Sequence, residues 1–134
     1  MKTWYPSANK APNERLLELP RNTALDPISI KLYPKEVVLL REYLIDICLN
    51  VRQLQGAASN SHLVLAEWHA TKFGARSYRI EIGSPKIPKA VQIPLSVARI
   101  LVTEMTNTVI PTQLNIVLGQ IHRQLTNRNF LPIN

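Results

Sequence analysis

Acidic residues nearly vanish from the second half of this chain. Residues 68–134 hold 2 Asp/Glu against 8 Lys/Arg, whereas residues 1–67 hold 7 against 8. The formal net charge of +7 is therefore a property of the second half, and a concentrated basic field attracts polyanions rather than cationic or neutral surfaces. Cysteine is almost absent too: Cys48 stands alone, so no internal disulfide can form. It lies inside an apolar helical pattern, which reads as a packed thiol rather than a nucleophile. With only 4 glycines, spread through the chain, no phosphate-cradling glycine loop can be built. No apolar run approaches the roughly 20 residues of a membrane span, and Met1 to Pro6 lack the apolar core of a secretory signal. These features predict a cytoplasmic protein that does not enter a membrane.

Catalytic and metal-binding patterns are missing as well. His62, His69 and His122 form no close pair, so the spacing of a metal site is absent. No serine has the context of an activated nucleophile. Glu36, Glu42 and Asp46 alternate with Lys35 and Arg41 as surface pairs on a helix do. Glu67, His69 and Arg79 share one face if their segments are strands, and there they read as a solvated polar cluster. The expectation is a non-enzymatic protein without cofactor or metal.

What the chain does contain is enough apolar sequence, 46%, to bury a core in one domain. Pro6, Pro12, Pro20 and Pro27 punctuate residues 1–27, which read as an arm; Leu16, Leu17 and Leu19 on a short turn within it are candidate partner-binding residues. Residues 28–134 form the domain. Ile28, Ile30 and Leu32 alternate with Ser29 and Lys31, the signature of a half-buried strand. From Pro34 to Gln55, Val37, Leu40, Leu44, Ile47, Val51 and Leu54 recur at spacings of three and four. They form one helical stripe, suited to a core or to self-association, with Gly56 as the stop.

The middle of the chain is harder to read. Leu63 to Thr71 can be read as a helix, but Val64, Ala66, Trp68 and Ala70 alternate, as do Tyr78, Ile80 and Ile82, and a hairpin turning near Gly74 accounts for more of the pattern. A third strand over residues 90–93 would complete a meander. Pro94 then precedes a helix marked by Leu95, Ala98, Leu101, Val102 and Met105. Thr112 would cap a last helix buried through Leu114, Val117, Leu118, Ile121 and Leu125. The strand–proline–helix order at 28–45 recurs near 90–105, although few positions match. The predicted fold is α+β: a small, mostly antiparallel sheet, made of a three-strand meander and an N-terminal strand, packed with a long central helix and two C-terminal helices.

On that fold Lys72, Arg76, Arg79, Lys86 and Lys89 gather around the hairpin and the turn after it. They are the candidate nucleic-acid-binding residues, contacting phosphates of DNA or RNA with little sequence preference. Five such contacts to a duplex give a log–log salt slope of roughly −4 to −5. The alternative is a non-catalytic adaptor, inhibitor or homo-oligomer that engages a protein partner through the arm and the 34–55 helix.

Overall fold

The computed structural model describes residues 26–128. In chain order its elements are β1 (Ile28–Leu32), α1 (Pro34–Leu54), α2 (Asn60–Trp68), a π turn (His69–Phe73), α3 (Gly74–Glu81), β2 (Lys89–Ile93), α4 (Leu95–Thr106) and α5 (Thr112–Asn127). The three-strand meander is not there. Residues 63–71 and 77–82, expected as two strands of a hairpin, lie almost entirely in the helical stretch from α2 through the π turn to α3. The sheet among the described residues has two strands, β1 and β2. The arm residues Leu16, Leu17 and Leu19 lie outside the described residues.

The hairpin was wrong for an identifiable reason. Along this helix the core-facing residues are Leu65, Trp68, Phe73, Ser77 and Ile80. Their spacing runs three, five, four, three, and the interval of five is the π turn. The amide of Gly74 donates to the carbonyl of His69, five residues back, which closes it. That interval breaks the helical period, so the accidental alternation at 64–70 looked more regular than it was. Ser59 starts the helix by accepting a hydrogen bond from the amide of His62 at 3.2 Å. Trp68 stacks on Phe73 across the turn, with ring centroids 4.9 Å apart, so this tryptophan belongs to the core.

The other elements follow the sequence closely. β1 alternates buried and exposed residues throughout. In α1, Val37, Leu40, Leu44 and Ile47 are buried, while Val51 is half-buried and Leu54 exposed. The stripe therefore serves the core and leaves little of itself for self-association. Pro34 opens the helix at a position that needs no amide hydrogen, and Glu36 reaches back to the Tyr33 amide at 2.9 Å. The stop differs from expectation: Gln55, not Gly56, takes the positive φ of 53°. Leu114, Val117, Ile121 and Leu125 bury one side of α5; Pro111 occupies its N-cap position without a side-chain hydrogen bond, and Thr112, expected as the cap, is the first helical residue.

Two halves of the chain build the same pattern. β1 pairs antiparallel with β2, with Ile30 opposite Val91 at the centre of the ladder. Counting from that pair, Leu32 and Ile93, Val37 and Ala98, Leu40 and Leu101, and Leu44 and Met105 are buried at one constant offset. Each half is thus a strand followed by two helical segments, and the halves interlock. α5 packs on α1 and along β1, while α2 packs on α4. α1 and α5 pack on β1, and the inner face of the ribbon buries Ile28, Ile30, Leu32, Val91 and Ile93.

Gly74 is required by the π turn. A Cβ there would stand 3.0 Å from the His69 carbonyl oxygen and 3.3 Å from its ring, inside the usual contact distance. Gly74→Ala should therefore destabilise the protein by about 1 kcal/mol despite the better helix propensity of alanine, read as a lowered urea midpoint.

Candidate nucleic-acid interface

The five basic residues singled out in the sequence are not on a hairpin. Lys72 lies on the π turn, and Arg76 and Arg79 on α3. Their spacing of four and three puts all three on one helical stripe. Arg76 ties that stripe to the ribbon, donating to the carbonyl of Ala90 at 2.9 Å. Lys72 and Arg76 border a shallow groove of about 370 Å³ along the edge of β2, shared with Ala90 and Gln92. Lys86 is exposed in the loop before β2. Lys89 alternates with the outward-facing Ala90 and sits opposite buried Leu32, so its stem turns towards the inner side near Gly83. The structure brings Lys72, Arg76 and Arg79 together and sets Lys86 and Lys89 apart from them.

The feature that the sequence reading missed is the outer face of the ribbon. Ser29, Lys31, Ala90 and Gln92 are all exposed, because they alternate with the buried residues of both strands. Ser29 stands opposite Gln92 and Lys31 opposite Ala90. This surface carries one cation, one amide, one hydroxyl and one methyl group, with no acid. The ribbon is also held at both edges. Gln120 of α5 accepts from the Lys31 amide at 3.4 Å and donates to the Lys31 carbonyl at 3.2 Å. Arg76 does the corresponding work at β2. These side chains occupy edge groups that would otherwise be free to pair with another strand.

The polar cluster expected from Glu67, His69 and Arg79 does not assemble. Glu67 and Arg79 are exposed, while His69 is half-buried at the π turn. Its Nδ1 atom is buried without a hydrogen-bond partner among the described residues. Burial, helped by the Arg41 cation, holds the His69 pKa below its ordinary 6.5. Arg41 itself is buried against α3. It pairs with Glu81 at 2.7 Å, donates to Ser77 Oγ at 3.3 Å and covers the Tyr78 ring at 4.0 Å. Cys48 is half-buried, and desolvation raises its pKa, so it stays a thiol.

A second polar group lies at the far end of α1. His62 Nε2 meets Glu104 Oε1 at 3.0 Å, and His62 Nδ1 lies 3.4 Å from Asn50 Nδ2. They line a cleft of about 420 Å³ with Glu42, Asp46 and Tyr43. Burial, aided by Glu104 and opposed by a hydrogen bond with Thr108, pushes the Tyr43 hydroxyl up to about 12. Glu42 and Asp46 sit about two and three turns into α1, counted from Pro34. Three carboxylates, Glu42, Asp46 and Glu104, thus line this cleft, whereas Asp26 and Glu36 lie beside the ends of β1.

Among the described residues no three His, Cys, Asp or Glu side chains converge as metal ligands would, and no helix is long and apolar enough to cross a membrane. No protein-family model, curated protein or solved structure matches this chain.

Two outcomes check this geometry. Gln120→Ala should speed hydrogen exchange at the Lys31 amide by up to about tenfold, the value of one hydrogen bond, as followed by NMR. For His69, the folded pKa is the depressed one. Its contribution to stability is complete above pH 6.5 and is lost as the pH falls through the lower folded value. His69→Gln should flatten the acid limb of a stability–pH curve relative to the parent protein.

Proposed function

We propose that the protein is a non-enzymatic DNA-binding module that seats the outer face of its β1–β2 ribbon in the major groove. The observation that carries this reading is the exposed quartet of Ser29, Lys31, Ala90 and Gln92 on a two-stranded antiparallel ribbon whose opposite face buries Ile28, Ile30, Leu32, Val91 and Ile93. Strands lie about 4.8 Å apart, and a major groove about 12 Å wide admits a ribbon of two. An A-form RNA major groove is too deep and narrow for it, which favours DNA over RNA.

Charge supports the same orientation. Lys31 faces the groove floor, and Lys72 and Arg79 stand on the helix beside β2, placed for the phosphates flanking the groove. The outer-face quartet carries no acid, and the carboxylates of Glu42, Asp46 and Glu104 line a separate cleft, which favours approach of a duplex to the ribbon. Arg76 has a different part here, holding the β2 edge through Ala90.

The reading is tested by a salt titration of binding to a labelled duplex, with Lys31→Glu/Gln92→Glu as the variant. Both positions are exposed, so the fold should survive, as checked by circular dichroism. The double variant should weaken binding by at least about 100-fold, since each change puts a carboxylate among base-edge acceptors and phosphates. Lys72→Glu/Arg79→Glu should instead weaken binding to all duplexes alike and reduce the salt slope by about two. Unchanged affinity in the folded ribbon variant overturns the proposal.

A further inference from the structure

The two strands of the ribbon are equivalent in position and different in chemistry. The Ile30–Val91 pair marks the centre, and the residues buried on either side of it match at a constant offset. On the outer face that same offset sets Ser29 against Ala90 and Lys31 against Gln92 as equivalent positions. Were these pairs identical, the ribbon would present the same groups to both halves of a site, and twofold DNA would suit it best. They are not identical, and both belong to one chain.

Resting on the DNA-binding reading above, we infer that the protein recognises an asymmetric, non-palindromic duplex site, with Lys31 specifying one half and Gln92 the other. Lysine pairs with the O6 and N7 acceptors of guanine, whereas glutamine pairs with N7 and the N6 amino group of adenine. Ser29 hydrogen-bonds without strong preference, and the Ala90 methyl group favours contact with a thymine methyl. Lys31 and Gln92 are diagonal neighbours in the ladder, with side-chain origins about 7–8 Å apart. Spread along a duplex rising about 3.4 Å per base pair, their contacts fall two to three base pairs apart. Neither half of the ribbon repeats the other's code, and one chain completes the reading surface.

The backbone beneath these side chains is set for such reading. Gln120 fixes the amide and carbonyl of Lys31, and Arg76 fixes the carbonyl of Ala90, the residue opposite it. Side chains at the groove floor therefore project from anchored strands rather than from a mobile loop.

The test is selection of bound duplexes from a randomised library by the full chain, followed by affinity measurements on the winners. The expected result is an asymmetric consensus, with guanine and adenine contributed at separate positions and one chain bound per site by mass. Ser29→Ala/Lys31→Gln makes both outer faces alike, and this variant should move the preference to a palindrome, reversing a discrimination of about tenfold. A palindromic consensus from the parent chain overturns the inference. So does duplex binding without sequence preference, which leaves the DNA-binding reading standing. Failure to bind any duplex at low salt overturns both.

Discussion

Everything in this molecule depends on β1 finding β2. The two strands come from opposite halves of the chain, and closing the intervening segment costs conformational entropy before any contact returns it. A two-stranded ribbon is not stable by itself. What holds it is the inner face, where Ile28, Ile30, Leu32, Val91 and Ile93 leave water together against helices from both halves. α5 then packs along β1, and Arg76 of α3 reaches β2, so each strand is held by a helix of the other half. Removing either strand would strip both the sheet and the floor of the core. Among the described residues, the same alternation leaves Ser29, Lys31, Ala90 and Gln92 exposed on the outer face.

How much of this was legible follows from how each element signals itself. β1, α1, α4 and α5 carry clean periods, and most residues marking them are buried, with Val51, Leu95 and Leu118 half-buried and Leu54 exposed. The segment from α2 to α3 does not, since the five-residue step from Trp68 to Phe73 shifts its buried face mid-helix. Two counter-signals were present. Ser59 stands at the helix start, and Ala66, Glu67, Ala70, Lys72, Ala75 and Arg76 favour helix over strand. Basic charge near 72–79 was visible as composition, but its placement beside β2 was not. Lys31 and Gln92 were hidden for a different reason. Each is a single polar residue in a short strand, and they share a surface only once the antiparallel register is known.

The buried cation on α1 illustrates how the fold tolerates polarity inside. Arg41 occupies the position that Val102 occupies in the second half, where an apolar residue suffices. Desolvating a guanidinium is costly unless its hydrogen bonds and charge are met. Here Glu81 meets the charge, Ser77 accepts a hydrogen bond and Tyr78 offers its ring face. Those three partners all lie on α3, beyond the π turn. Without the extra residue at 69–73, α3 would rotate by roughly 100° and turn them away from Arg41. The π turn is therefore what makes one half of the pattern accept a cation where the other has valine.

Placing both halves in one chain changes the thermodynamics of forming the ribbon. A ribbon assembled from two separate chains must first pay for association, so the fraction assembled falls steeply with dilution. Here the second strand is tethered, and its effective concentration is set by the chain itself. The ribbon is then formed at any protein concentration at which the chain is folded. A tethered pair is also released from identity: substitutions at Ser29 or Lys31 need not reappear at Ala90 or Gln92. The inner-face residues lack that freedom, because Ile30 and Val91 pack into one shared core. Conservation of pattern inside and divergence outside is what these two constraints together produce, and it is what the two strands display.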